Sequence, residues 1–404
     1  MFENFDNYIE KYFIDPNGIV YTEIDSRTLK VLENKMFKEY PSTPFEEPST
    51  VKFQLPNNND RTYWEKDTFM PAEFWSYENC GMCTGAYLNA LCSAMRNPAT
   101  DTPEIRRRAK RTFDAQQYIF QIGSKLEFGF FPKIWGGKFS HQTSTDQMLY
   151  TMHSLHNYYP FASNEDKTQI GKYIIAMADF WWKRNYTMTW YNLVDMKWPR
   201  LRFPSFLMMA YKYSGDEKYR TEALRILEEE PDNIVEHAVK APFLINVADT
   251  LSMDAMNIEM MTQFSPLPEK YCKIMLDGLK EEWYHKIKTL TPDGYFYNRM
   301  DYDLKTGIAT PQKKDCTRSA WSTMIVRSGL LISRFIPEIR PQAIELAENV
   351  LSQLKFENMY YYHPADANEF AEPYQFKTRF LSGDAIANRQ WAYYLLAKYK
   401  SKIS

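Results

Sequence analysis

Two kinds of helical segment alternate along this chain. Hydrophobic residues recur at helical spacing, for example at Met148, Met152, Leu155 and Tyr159. Some segments are amphipathic with a charged face, as at 103–123, whereas others are apolar or small on nearly every side, as at 79–96. Because a helix that is apolar all round is buried all round, the alternation predicts an inner layer of buried helices and an outer layer of half-exposed ones.

The hydrophobic pattern, together with residues that start or end helices, indicates the helix boundaries. Asn97-Pro98 ends one helix, Pro103 suits the first turn of the next, and Ser214-Gly215-Asp216 forms a corner between two helices. Gly215 suits the left-handed conformation that ends a helix, and Asp216 can cap the helix that follows. The predicted helices lie near 25–40, 79–96, 103–123, 144–160, 164–184, 203–214, 216–230, 242–263, 267–288, 317–335, 338–355 and 383–401.

These segments predict an all-α protein, an (α/α)6 barrel that forms a single domain over residues 1–404. Short corners make neighbouring helices antiparallel, so six inner helices would point the same way and six outer helices would surround them. An α-solenoid is the competing architecture, but the helix pairs vary in length and show no repeated residue pattern. Residues 41–74 are predicted to cover the rim, and short strands are expected at 51–55, 128–131 and 294–297.

The inner helices begin with clusters of aromatic and charged residues instead of ordinary caps. If the inner helices are parallel, their starts share one rim and line one pocket. The six clusters lie at 75–79, 141–147, 198–202, 240–243, 313–318 and 381–384.

Composition narrows the classes of protein that this chain can be. Hydrophobic residues make up 44% of the 404 residues and aromatic residues 16%, which supplies both a large core and side chains suited to a ligand groove. The net charge of −2 does not indicate a nucleic-acid-binding protein. No apolar stretch of the sequence has the length of a membrane span. The five cysteines and the absence of a signal-like start favour a cytoplasmic location for the chain as given.

Glu78 and Asp146 are the candidate catalytic acids, since each falls at the start of an inner helix. Glycoside hydrolysis needs two carboxyl groups roughly 5–9.5 Å apart. Each acid also has an ordinary explanation. Ser144 and Gln147 can form a capping box around Asp146, and Glu78 can simply precede a cap at Asn79.

Further polar and aromatic residues of the inner-helix starts are expected to bind substrate. An inward-pointing arginine near the rim needs either an internal acid or an anionic substrate, and Arg318 with Asp315 or Arg389 with Asp384 are internal alternatives. An arginine without such a partner would favour an acidic sugar. The predicted binding residues are Trp75, Tyr77, Asn79, His141, Gln147, Arg200, Arg202, Arg318, Trp321, Asp384 and Arg389.

The sequence predicts neither a metal nor another cofactor. His153 and His156 have a spacing that metal sites use, but no matching acid or cysteine set accompanies them. Cys80 and Cys83 form a CxxC at a helix start without the surrounding βαβ pattern of a redox motif, so packing of small residues explains them better. No phosphate-binding loop and no nucleophile elbow occurs.

The chain resembles the six-hairpin glycosidases from about residue 25 to its end. The resemblance rests on the alternation of twelve buried and half-exposed helices and on the corner between helices at 211–219. It also rests on the inner-helix starts Glu78-Asn79-Cys80-Gly81-Met82 and Ser144-Thr145-Asp146-Gln147. Among that group it is similar to the unsaturated glucuronyl and rhamnogalacturonyl hydrolases. The resemblance implies an oligosaccharide substrate, with Asp146 as the general acid/base and Glu78 as its partner. The His-Asp pair that those enzymes often carry is replaced here by Tyr77-Glu78.

Two other functions remain open from the sequence. A polysaccharide lyase or sugar epimerase on the same barrel would use His, Tyr or Arg instead of two acids. A carbohydrate-binding or scaffold protein would keep the aromatic rim without turnover.

Overall fold

Among the described residues, eleven long helices and a short N-terminal helical segment form the structure, a computed structural model. It describes residues 2–32, 51–52, 69–70, 76–135, 138–139, 143–190, 193–197, 202–229, 248–290, 297–298, 300–302, 309–311, 317–361, 363–364 and 378–401. The helices are α1 (Asp6–Tyr8, continued by π-helical residues Ile9–Phe13), α2 (Cys80–Met95), α3 (Pro103–Gly123), α4 (Thr145–Tyr158), α5 (Asn164–Lys183), α6 (Arg202–Ser214), α7 (Glu217–Glu229), α8 (Ala248–Thr262), α9 (Glu269–Lys286), α10 (Ser319–Ile332), α11 (Arg340–Gln353) and α12 (Gly383–Lys400).

The even-numbered helices form a closed inner ring. Each of α2, α4, α6, α8, α10 and α12 contacts the next, and α12 contacts α2. All sixteen residues of α2 are buried, whereas α3 buries one face through residues such as Ile105, Ala109 and Phe113. The predicted (α/α)6 barrel is confirmed, and ring closure rules out an open solenoid.

The helix predicted at 25–40 is wrong over its described part. Residues Glu23–Asp25 form strand β1 and a turn follows them, while 33–40 lie outside the described residues. The N-terminal segment α1 fills the twelfth helical position instead. Phe5, Ile9 and Phe13 recur at helical spacing and are fully buried, and the segment packs against α12.

Short strands connect or tie together the ends of helices. They are β1 (Glu23–Asp25), β2 (Val51–Lys52), β3 (Phe69–Met70), β4 (Ile134–Trp135), β5 (Lys138–Phe139), β6 (Thr187–Trp190), β7 (Leu193–Lys197), β8 (Tyr297–Asn298), β9 (Met300–Tyr302), β10 (Ala309–Pro311), β11 (Thr317–Arg318) and β12 (Phe380–Ser382). All pair antiparallel as two-stranded ribbons. The strand expected at 128–131 is wrong, because residues 128–129 form a turn and 130–131 are irregular and lead towards β4.

The strand pair β1–β12 anchors the starts of α2 and α12. Thr22, just before β1, accepts a hydrogen bond from the Gly383 amide at 2.6 Å, and its hydroxyl accepts one from the Asn79 amide at 2.7 Å. A Cβ at Gly383 would lie 1.8 Å from the Tyr21 carbonyl oxygen, so only glycine permits this approach. These bonds fix two inner-helix starts at the rim.

The predicted corner at 214–216 is confirmed. Gly215 has φ +69° and its amide donates to the Tyr211 carbonyl at 2.8 Å, so it ends α6 in the left-handed conformation. Asp216 accepts from the Lys218 amide at 3.1 Å and thereby caps α7. No helix among those described is long and apolar enough to cross a membrane.

Candidate active site

A cavity of about 320 Å³ opens at the N-terminal ends of the inner helices. All six inner helices contribute to it, as the parallel arrangement requires. Its described lining consists of Glu78, Asn79, Met82, Lys133, Ser144, Asp146, Arg202, Met253, Ala320, Trp321, Met324, Tyr361 and Asp384. Glu78, Asn79, Asp146, Arg202, Trp321 and Asp384 were predicted as site residues, and the structure brings them together.

Asp146 lies in the first turn of α4 and is partly exposed to the cavity. The Ser144 hydroxyl donates to its Oδ1, and within the described residues no cation lies at ion-pair distance from it. The capping box considered for this helix start does not form, since Ser144 makes no side-chain cap bond. Asp146 therefore faces the cavity with a hydroxyl as its partner.

Glu78 has a different environment. Lys133 Nζ lies 2.5 Å from Glu78 Oε1, and the lysine side chain is only 2% exposed. Lys133 comes from the segment between α3 and β4, and burial of an ammonium group requires a compensating charge. Glu78 thus enters the cavity as an ion-paired carboxylate, unlike Asp146.

A chain of side-chain hydrogen bonds links the starts of three inner helices. Gln147 Nε2 donates to Asn79 Oδ1 at 2.9 Å, and Gln147 Oε1 accepts from the Met82 amide at 3.0 Å. Asn79 Nδ2 in turn donates to Asp384 Oδ2 at 3.3 Å, and Cys83 Sγ donates to Asp384 Oδ1 at 2.8 Å. Gln147 is therefore a positioning residue beneath the cavity wall.

Arg202 begins α6 and lines the cavity although it is only 8% exposed. Its Nη1 donates to the Thr145 hydroxyl, and its buried Nε has no hydrogen-bond partner among the described residues. Within the described residues no carboxylate pairs with this guanidinium. A buried arginine without an acid is costly unless an anionic ligand completes it.

Two predicted binding residues point away from the cavity. Tyr77 donates to Asp15 Oδ2 at 3.2 Å and packs edge-on against Tyr21; burial, followed by the charge of Asp15, raises its pKa. Arg389 donates to the Glu3 carbonyl and lies 3.7 Å from the centre of the Phe5 ring, and burial lowers its pKa to about 10. Both side chains hold the N-terminal segment, and neither belongs to the described lining of the cavity.

The other predicted residues are less fully described. Trp75, His141 and Arg200 lie outside the described residues. The backbone of Arg318 belongs to β11 and pairs with Tyr297 in β8.

Lys133 and Tyr361 line the cavity but were missed in the sequence. Both come from segments between helices. The signal for Lys133 was a single cation within the apolar run 130–135, and for Tyr361 it was three consecutive tyrosines at 360–362. Met82, Met253 and Met324 add apolar surface.

The remaining histidines and cysteines considered in the sequence are structural. His153 Nδ1 contacts Asn89 Oδ1 at 3.0 Å and its Nε2 contacts Glu259 Oε2 at 2.9 Å, deep in the barrel. Burial raises the pKa of Cys80 to about 12, which disfavours a reactive thiolate. In the part of the chain that is described, no group of three or more His, Cys, Asp or Glu residues could hold a metal ion.

Comparison with known proteins identifies the fold. No family model and no curated protein matches the chain. A D-mannose isomerase is similar at TM-score 0.53 and 12% identity, over 97% of this chain and 94% of that one. A sugar epimerase from a ruminal bacterium gives 0.53 and 12%, over 98% and 96%. A possible member of the GH105 family from Klebsiella pneumoniae gives 0.51 and 12%, over 91% and 92%. The chain has the (α/α)6-barrel fold of the six-hairpin glycosidases, which sugar isomerases and epimerases also use.

Proposed function

We propose that this protein is a glycoside hydrolase that acts on an oligosaccharide with an acidic terminal sugar. One observation carries the proposal: a single cavity holds an aspartate that has only a hydroxyl partner and a buried arginine that has no acidic partner, within the described residues. The first suits proton transfer to a leaving group, and the second suits recognition of a sugar carboxylate.

Asp146 is the general acid/base in this proposal. In its protonated form it donates to the glycosidic oxygen while the bond from that oxygen to the sugar carbon breaks, and the bonding electrons stay on the oxygen. The resulting carboxylate then accepts a proton from the water that attacks the carbon, which restores the acid. The Ser144 hydroxyl orients the carboxyl group throughout.

Glu78 supports the reaction as a charged partner. Its ion pair with Lys133 fixes it at the cavity wall as a carboxylate. A fixed negative charge stabilises the positive charge that develops on the sugar ring in the transition state.

The remaining cavity wall suits one sugar ring better than an extended chain. Trp321 and Tyr361 supply aromatic surface against which the apolar face of a sugar can pack. Asn79 and Asp384 supply polar groups that can meet hydroxyls, and Arg202 lies where it can form a charge-assisted bond with a carboxylate. A volume of about 320 Å³ is at the lower end of the range for small-molecule sites.

A substrate panel tests the proposal. We expect release of the terminal sugar from disaccharides that carry an unsaturated or saturated uronic acid. The value of kcat/KM should be at least about 100-fold above that for matched neutral disaccharides, because one buried charge-assisted contact contributes a factor of about this size. Reducing-end assays and mass spectrometry of the products provide the measurement. Equal turnover of neutral and acidic sugars would contradict the proposed role of Arg202 in substrate recognition. No turnover on any glycan would contradict the proposal that the protein is a glycoside hydrolase.

A sugar isomerase or epimerase is the second candidate. The Glu78–Lys133 ion pair favours it, because a cavity that places Lys133 and Tyr361 beside Glu78 and Asp146 also suits movement of a proton between neighbouring sugar carbons. Such a reaction incorporates deuterium from heavy water into the sugar. Incubation of free hexoses and free uronic acids with the protein in heavy water, followed by NMR, separates the two functions.

The Glu78–Lys133 pair gives a further prediction. We expect Lys133→Met and Glu78→Gln each to lower kcat by about tenfold to 100-fold, because each breaks the ion pair that holds Glu78 at the cavity wall. The double variant should lose less than the product of the two single effects, since the residues act together. Steady-state kinetics on the best acidic substrate provides the measurement.

The matched control for that pair is Lys110→Met. Lys110 also makes an ion pair, 2.5 Å from Asp114, but on the exposed face of α3. The Lys110→Met variant should keep wild-type kinetics because exposed ion pairs contribute little to stability. Independent, fully multiplicative effects of Lys133→Met and Glu78→Gln would contradict a joint role.

A further inference from the structure

A second cavity, of about 410 Å³, lies at the opposite end of the barrel from the candidate active site. It is formed where inner helices α2, α10 and α12 end and outer helix α11 begins. Four cationic side chains line it: Arg96, Arg334, Arg340 and Lys398. Leu395 and Tyr399 supply apolar and aromatic surface beside them.

Helix capping explains only some of these cations. Arg96 and Lys398 lie at the C-terminal ends of α2 and α12, where a positive charge complements the helix dipole. Arg340 is the first residue of α11, where the dipole favours an acid instead. The dipole of its own helix therefore does not account for Arg340, whose guanidinium reaches the Ser333 carbonyl just after the end of α10.

Among the described residues, hydrogen bonds use only part of the donor capacity of Arg340 and Arg96. Arg340 donates through Nε and Nη2 to a single acceptor, the Ser333 carbonyl, and its guanidinium lies over the Tyr399 ring at 5.4 Å. Arg96 donates through Nη2 alone, to the Asn157 carbonyl at 3.0 Å and to its side-chain oxygen at 2.8 Å. Since each guanidinium carries five N–H donors, several remain for a ligand.

The three arginines of this cavity outnumber the carboxylates that pair with them among the described residues. Among the described residues, the carboxylate that pairs with these arginines is Glu259, whose Oε1 lies 3.2 Å from Arg334 Nη1. Glu259 is 1% exposed and its other oxygen contacts His153 at 2.9 Å. Burial lowers the pKa of Arg96, and the neighbouring charge of Arg334 contributes in the same direction. A bound anion would relieve this repulsion.

We propose that this cavity binds a small phosphate ester with an apolar or aromatic body. A phosphate dianion has three terminal oxygens that accept hydrogen bonds from several directions, which suits cations that converge from separate helices better than a planar carboxylate does. The body of the ligand would pack against Leu395 and Tyr399. The site lies away from Asp146 and Arg202 and does not depend on the reaction catalysed there.

Isothermal titration calorimetry of the full chain with phenyl phosphate tests the proposal. We expect saturable binding that is at least about tenfold tighter than that of phenyl sulfate or benzoate at equal ionic strength, because the dianion meets several cations. Arg340→Gln and Lys398→Gln should each weaken it by about tenfold or more. Thermal melting of each variant checks that it is folded. If Arg340→Gln does not fold, the affinity of Lys398→Gln for phenyl phosphate provides the test.

Two control variants locate the binding. Arg106→Gln removes an exposed arginine that pairs with Asp101 at 2.6 Å, and Arg202→Met removes the arginine of the active-site cavity. Neither should change the affinity for phenyl phosphate. The proposal is overturned if wild type shows no binding at about 10 mM, a concentration far above the dissociation constants of specific sites. It is also overturned if phenyl sulfate or benzoate binds as tightly, or if only Arg202→Met weakens binding.

Discussion

Replacement of Asp146 by asparagine is expected to lower kcat on an acidic disaccharide by about 1,000-fold, within the range that a positioned acid/base contributes. Asparagine keeps the shape of aspartate and can still accept the hydrogen bond from Ser144, but it cannot donate and recover a proton. KM should change little because binding of the sugar depends on other residues. Steady-state kinetics, with the melting temperature as a check of folding, provides the measurement.

The control for this variant is Asp101→Asn, which removes an acid paired with Arg106 on the outer surface and should keep full activity. Asp384→Asn provides the competing test. Asp384 also lines the cavity, but it already accepts hydrogen bonds from Asn79 and Cys83. If Asp384→Asn abolished turnover and Asp146→Asn did not, the acid would be Asp384 and the proposed role of Asp146 would be wrong.

The barrel could be predicted because burial acts on whole helices. Segment 80–95 is apolar or small on every side, whereas segment 103–123 is charged on one side. This difference within each helix pair indicates which helix lies in the inner layer and which in the outer layer. The helix predicted at 25–40 was wrong because helical periodicity there is local and carries no information about β1 pairing with β12, more than 350 residues along the chain. The short α1 segment was missed because its helical stripe comprises few residues.

The cavity could be predicted in part for the same reason. Parallel inner helices place their first residues on one rim, and this brought Glu78, Asp146, Arg202 and Asp384 together. Sequence position does not specify the direction of a side chain, however. Tyr77 precedes α2 by a few residues and faces Asp15 instead of the cavity.

Contacts made by connecting segments could not be predicted. Lys133 reaches the cavity from a segment without helical periodicity, so nothing in the pattern of the chain places it beside Glu78. Yet this contact decides the difference between the two candidate acids, because it leaves Asp146 as the one without a cation among the described residues. The capping explanation for Asp146 depended on Ser144 and Gln147, and both side chains bond elsewhere.

Replacement of Arg202 by methionine is expected to lower kcat/KM for an acidic disaccharide by about 100-fold or more, because a buried charge-assisted contact with the sugar carboxylate is lost. The loss should appear mainly in KM. A neutral disaccharide of the same linkage should lose little or gain slightly, since methionine fills similar volume without a buried charge. The ratio of kcat/KM for the two substrates, measured for wild type and variant, is the quantity that tests this.

Arg202→Lys sharpens the test because it keeps the charge and removes the planar fork. It should recover part of the preference for the acidic sugar but not all of it, since lysine cannot form the bidentate contact. Arg202→Met also removes the hydrogen bond from Arg202 to the Thr145 hydroxyl, and a purely structural role of that bond would affect both substrates alike. Equal losses on the acidic and the neutral sugar would therefore show that Arg202 positions α4 and does not select the substrate.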